Sequence, residues 1–142
     1  MITLALLQLL ADNGFGQIDV DLFWQKLSLG KKGIYIVDIG QPQYRGQRKV
    51  QKFELYSRGK NDADGYVQLY NVIRFLNDSY EVCKLPQVPF DIEFFVLDRS
   101  RLDEETAPKF ENVTIMPMGT PSNIGEDTNG RIIWSVSGEI RY

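Results

Sequence analysis

From Arg131 to Tyr142 apolar and polar positions alternate. Ile132, Trp134, Val136, Gly138 and Ile140 fall on one side, and Ile133, Ser135, Ser137, Glu139 and Arg141 on the other. A period of two marks a strand with one buried face. Asn129-Gly130, just before it, is the dipeptide that most favours a tight hairpin turn. The same alternation runs through Arg48–Ser57, where Gln51, Phe53, Leu55 and Ser57 oppose Lys52, Glu54 and Tyr56. Gly33–Ile39 is a β-branched strand entered through the polar turn Gly30-Lys31-Lys32. Gln41–Gln47, with Pro42, Tyr44, Arg45 and Gly46, reads as a loop. In Phe90–Leu97 the run Phe94-Phe95-Val96-Leu97 predicts a strand buried on both faces, either in the core or at an interface. Val113–Met118 is a further strand whose Pro117 points to an edge or a bulge, and Gly119–Gly130 is a long Gly/Pro/Asn/Asp loop.

Two segments carry helical periodicity instead. In Met1–Ala11, Ile2, Leu6, Leu9 and Leu10 share a face with Leu4 and Leu7 beside it, and Asn13-Gly14 is the stop. Between about Ala63 and Ser79, Leu69, Val72, Ile73, Leu76 and Tyr80 form an apolar stripe widened by Tyr66, Tyr70 and Phe75. Asp62 or Asp64 is placed to cap it. Gly14–Trp24 is irregular, with Phe15, Ile18, Leu22, Phe23 and Trp24 expected to be partly buried. Strands grouped around two helices predict an α+β domain, a mostly antiparallel sheet with two helices packed on one face. Residues 1–142 suit a single domain, and a chain of this size buries enough surface to fold without a disulfide or metal.

Composition removes several chemistries. There is no histidine, which excludes Ser-His-Asp and Cys-His catalysis and every His-ligated metal site. Cys83 is the one cysteine, so no intrachain disulfide or thiolate zinc site is possible. Lys84 beside it could lower a thiol pKa, but a small inert hydrophobe is the favoured reading. A net charge of −3 argues against a dedicated nucleic-acid binder. The apolar N-terminus has no basic leader and is too short to span a membrane, which points to synthesis in the cytosol.

The remaining candidates read as structure. Gly125–Gly130 resembles a fragment of a calcium loop but lacks the downstream bidentate Glu, so a hairpin loop is favoured. Asp103-Glu104-Glu105 sits in the charged stretch Asp98–Asn112 and reads as a solvated loop, of a length more often used for contact with a partner. Arg45, Arg48, Lys49 and Lys52, with Tyr44 among them, suit an acidic neighbour in an oligomer better than a phosphate backbone. No phosphate-cradling glycine motif is present. An enzyme would need a carboxylate such as Asp38 or Asp98 buried in a pocket with a shifted pKa. No catalytic residue, cofactor or metal is assigned. Of the two Trp, seven Tyr and eight Phe in one small domain, some must be core, and a subset suits interface hot spots.

Three stretches carry a family likeness. Leu7–Phe23 resembles the start of the minor capsid or tail terminator proteins of tailed bacteriophages. Gln51–Leu55, Ser57-Arg58-Gly59 and the helix with Tyr66 through Leu76 resemble their middle. Pro121–Asp127, leading through Asn129-Gly130-Arg131 into the closing Ile140-Arg141-Tyr142, resembles their end. The resemblance covers most of the chain and rests on the order of elements; the charged stretch 98–112 departs from it. It implies a structural, non-enzymatic virion protein of the neck, made and assembled in the host cytoplasm. It implies a homohexameric ring that caps the tail tube, halts tail assembly and joins the tail to the head–tail connector. DNA passes through such a ring without specific binding, and no membrane is involved. A head-completion or stopper protein is the alternative; a small cytosolic enzyme or a monomeric binding module is further off. Read from this chain alone, the candidate interface residues are Phe94, Val96, Trp134, Val136, Ile140, Tyr142, Tyr44, Arg45 and Arg48, with strand addition as a mode. On that reading, a chain cut after Trp134 should lose ring assembly while its helices persist.

Overall fold

The computed structural model describes residues 2–26, 31–79, 85 and 110–142. Within them two helices, α1 (Ile2–Asp12) and α2 (Asp62–Asp78), lie on one face of a curled, mostly antiparallel sheet of six strands: an α+β fold. The strands are β1 (Leu22–Trp24), β2 (Gly33–Arg45), β3 (Arg48–Arg58), β4 (Thr114–Ile115), β5 (Ser122–Glu126) and β6 (Ile132–Arg141). Their order is β1-β2-β3-β6-β4, with β5 beside β4 on the same flank of β6. Only β1 and β2 pair in parallel.

Register explains the core. Phe53 faces Gly138 and Leu55 faces Val136 across β3 and β6, while Ile36 faces Leu55 and Ile34 faces Ser57 across β2 and β3. All of these side chains therefore share one face. The helices cover that face, and Leu6, Leu7, Leu10, Leu69, Val72 and Leu76 join Phe53, Leu55, Ile36, Val136 and Ile140 in one apolar cluster. α1 is buried almost all round from Ile2 to Leu7, more than a one-sided stripe predicts. Thr3 in that run is satisfied by polar partners: Trp24 Nε1 donates to its hydroxyl (2.9 Å), which donates to Asp38 (2.5 Å). Phe23 and Tyr35 point the other way and stack at 4.7 Å, both fully buried.

The helix cap differs from the expectation. Asn61, not Asp62 or Asp64, is the N-cap and accepts from Asp64 N–H at 2.8 Å. Asp64 Oδ2 accepts from Lys60 N–H at 2.9 Å, one residue before the cap. Asp62 is thereby released to accept from Ile132 N–H, fastening the helix start to β6.

Two loop assignments are also corrected. Gln41–Gln47 is not a loop: β2 continues to Arg45 with a bulge between Ile39 and Gln43, and only Gly46-Gln47 turns. Backbone pairing with β3 outweighs the weak strand propensity of Gly40-Gln41-Pro42, and the bulge is where Pro42 is accommodated. Gly119–Gly130 holds β5, whose five residues are exposed and carry no β-branched pattern apart from Ile124. The turn itself spans Asp127–Gly130, with Gly130 N–H bonded to Asp127 O and Gly130 at φ +74°. Conversely Val113–Met118 yields only the two-residue β4, after which Asn77 pairs its side-chain amide with both backbone groups of Met118 (2.8 and 2.9 Å). The strand expected at Phe90–Leu97, Cys83 and the charged residues 98–109 lie outside the described residues.

Candidate assembly surface

β2 changes character halfway. Ile34, Tyr35 and Ile36 are buried, while residues 39–47, nine in succession, are all exposed. β1 covers the outer edge of β2 only to Ile36. The edge is then closed at Asp38, whose N–H donates to the Gln25 side chain (2.9 Å) while its carboxylate accepts from Gln25 Nε2 (2.6 Å). Beyond Asp38 no described strand covers β2. The result is an ordered hairpin arm with Ile39 (45% exposed) and Tyr44 (70% exposed) standing out from it. Ile39 pairs opposite Lys52 and Tyr44 opposite Lys49, neighbours of opposite parity on β3, so the two apolar groups lie on opposite faces of the arm.

The basic stretch is largely used inside the protomer. Arg48 donates to the carbonyls of Asn112 and Arg141 and to the Thr114 hydroxyl, tying the base of the arm to β4 and β6. Arg45 lies 3.7 Å from Glu139, which Arg141 also holds at 3.0 Å. Lys49 sits over the Tyr44 ring at 5.5 Å. Asp38 is half-buried at the sheet edge and its carboxylate is taken by Thr3 and Gln25.

The closing strand is interior to the sheet. β3 pairs with one side of β6, while β5 and β4 share the other. Val136 and Ile140 belong to the core. Trp134 is half-buried, donates Nε1–H to Asp62 O (3.0 Å) and meets the Tyr66 ring edge-on at 5.0 Å. Tyr142 continues the pairing through two backbone bonds to Lys49 (2.7 and 2.9 Å) and packs edge-on against Phe110. Burial, then the nearby Asp38 and Tyr44, push its hydroxyl pKa up. Of the nine candidate interface residues, then, Tyr44 and Arg45 are exposed, and Arg48, Trp134 and Tyr142 are half-buried. Val136 and Ile140 are inside, and Phe94 and Val96 fall outside the described residues. Ile39 was missed: as the last residue of a β-branched run it read like its buried neighbours.

At the opposite end of the sheet the hairpin between β5 and β6 is organised by Asp127. Its Oδ1 accepts from Asn129 N–H (2.8 Å) and Arg131 N–H (2.9 Å), and its Oδ2 accepts from Arg58 Nε. Its Oδ1 holds the turn and its Oδ2 ties the turn to β3, which fits the hairpin-loop reading of the calcium-like fragment. The Arg131 N–H foremost, helped by Arg58 and Asn129, lowers the Asp127 pKa. A depressed carboxyl pKa contributes stability that is present above the unfolded value of about 3.9 and is lost as pH falls through the folded one. Thermal melts should therefore show Asp127→Asn less stable than the parent by a constant margin near neutral pH, with the margin narrowing below about pH 4.

On the opposite face of β3, Tyr56 donates to Glu54, and this bond with burial raises the Tyr56 pKa to about 12. Ser137 bonds the other oxygen of Glu54 at 3.2 Å. Among the described residues no group of three or more Cys, Asp or Glu side chains is placed to hold a metal ion, and no helix is long and apolar enough to cross a membrane. No family model matches this chain, and no curated protein matches it at a significant level.

Proposed function

We propose that this chain is a structural neck protein of a tailed bacteriophage. It forms a ring that caps the tail tube, stops its elongation and joins it to the head–tail connector. The resemblance of three stretches suggests the class, and the exposed run 39–47, on a hairpin paired with β3 on either side of a bulge at 40–42, is the observation that carries it. An ordered arm with an apolar group on each face suits insertion between partner chains. Tyrosine is among the residues that most often anchor interfaces.

The geometry favours one docking mode over another. Both exposed flanks of the sheet carry features that resist strand addition: Pro42 and a bulge in β2, and a bulge with Gly125 at φ +128° in β5. Contact is therefore made by side chains of the arm, not by extending the sheet. A ring of identical subunits needs a heterologous, head-to-tail interface that closes by rotation, so the arm of one protomer meets a different surface of the next or of the tube.

Replacing Ile39 and Tyr44 together by serine should weaken assembly by about 30-fold, the equivalent of about 2 kcal/mol. The protomer's own stability should change by less than about 0.5 kcal/mol, because both side chains are exposed. Sedimentation velocity over a concentration series reads the first and urea unfolding the second. Assembly unaffected by both substitutions would remove the arm from the interface.

A further inference from the structure

The end of the sheet away from the arm gathers positive charge that is scattered in the sequence. β3 alone separates the two ends by roughly 34 Å. There Lys31, Lys32, Arg58 and Arg131, from a turn and two different strand ends, line one open cleft of about 490 Å³ with Val20 and Asp21. The described lining holds four cations and one carboxylate, and of the cations Arg58 is ion-paired with Asp127, in a chain whose net charge is −3. That carboxylate is turned to its own loop, where Asp21 accepts from Gln17 N–H at 3.1 Å.

The cleft is held in shape by buried groups. The Tyr35 hydroxyl, on a ring that is 1% exposed, donates to Lys31 O (2.6 Å) and accepts from Lys31 N–H (3.1 Å), so the lysine turn is pinned. Arg58 is 5% exposed and fixed by Asp127, and Ile34 N–H bonds Asp21 O (2.8 Å) to close the floor. Lys31 and Lys32 are exposed, Arg131 is half-buried with its guanidinium donating to Gly59 O (3.5 Å), and no carboxylate among the described residues pairs with either lysine. The described lining residues include no aromatic ring on which a base could stack.

We propose that this cleft binds the phosphodiester backbone of nucleic acid, by charge and without reading bases. The chemistry is that of a phosphate-contact site: ammonium and guanidinium donors positioned by a rigid scaffold. A free nucleotide would leave its base with nothing to stack on. The inference does not depend on ring formation, since the cleft lies within one protomer.

The test is fluorescence anisotropy with a labelled duplex of about 20 base pairs at about 50 and 200 mM salt. With Lys31, Lys32 and Arg131 as three phosphate contacts, binding should fall about 40-fold over that range. Replacing Lys31 and Lys32 by glutamine should leave one contact and a fall of about 3.5-fold, with weaker binding at the lower salt. Replacing Lys49 and Lys52 by glutamine makes the same charge change at the arm end and should keep the parental salt slope. Arg131→Gln, tested alone, should lower the slope by one contact. Melting curves matching the parent's establish that the lysine variants fold. No binding at the lower salt, equal losses in the two double variants, or tighter binding of an acidic polyglutamate peptide to the same cleft would overturn the proposal.

Discussion

A chain ending at Trp134 is expected not to fold. The sequence pattern suggested that such a cut would spare the helices and remove only assembly, but β6 is the interior strand of the sheet. Its loss takes Val136 and Ile140 out of the core and strips β3 of its partner from Val50 to Tyr56. It also removes the strand against which β4 pairs and the Tyr142 bonds to Lys49. Burying two aliphatic side chains is worth roughly 1.5–3 kcal/mol each, and each backbone bond adds about 1 kcal/mol. Together these losses are comparable to the whole stability of a domain, about 5–15 kcal/mol. Near-ultraviolet circular dichroism of the truncated chain should lose its tertiary signal, and urea unfolding should lose its cooperative transition. A truncated protein that melts cooperatively would show that β6 is peripheral.

Gly138→Val is expected to destabilise the core heavily. Gly138 stands directly across from Phe53, and a Cβ there would lie 2.4 Å from the ring's Cζ and 3.0 Å from Met118 Sδ. Phe53 is fully buried between the sheet and both helices, so the ring has nowhere to retreat. Overpacking of this kind costs about 3 kcal/mol, read as a lower urea midpoint. Combining Gly138→Ala with Phe53→Leu should cost less than the sum of the two alone, because the smaller side chain opens the space the methyl needs. Additive losses would place the two residues out of contact.

The particulars show what sequence pattern can carry. Alternation located β3 and β6 because their alternate residues reach the core at Phe53, Leu55, Val136 and Ile140, and it assigned Gln51, Phe53, Leu55 and Ser57 to the inner side correctly. It placed Gly138 on the inner face of β6 but gave no sign that Phe53 fills the space beside it, which is a fact of register. The same reasoning missed the outer half of β2, because once a strand leaves the cover of the helices nothing requires its residues to alternate. β5 was hidden for the same reason. The N-cap was misplaced by one to three residues because Asn61, Asp62 and Asp64 all have capping chemistry, and only the contact of Asp62 with Ile132 divides the roles.

The surface readings depended more on three dimensions. Arg45, Arg48 and Lys49 look like a basic patch when read in line, yet Glu139, the Asn112 and Arg141 carbonyls and the Tyr44 ring engage them. The cleft of Lys31, Lys32, Arg58 and Arg131 runs the other way, since folding alone brings together residues up to 100 positions apart. The protomer that results has two unlike ends, an apolar-tipped arm and a basic cleft, separated by a rigid sheet.

The mass of the purified chain in solution, alone and mixed with a tail tube protein of the kind the proposed role requires, tests the assembly reading most directly. Native mass spectrometry should find a closed species at six times the protomer's 16.3 kDa, alone or on the tube. A protein that stays at 16.3 kDa in both conditions, across the micromolar range, would contradict it.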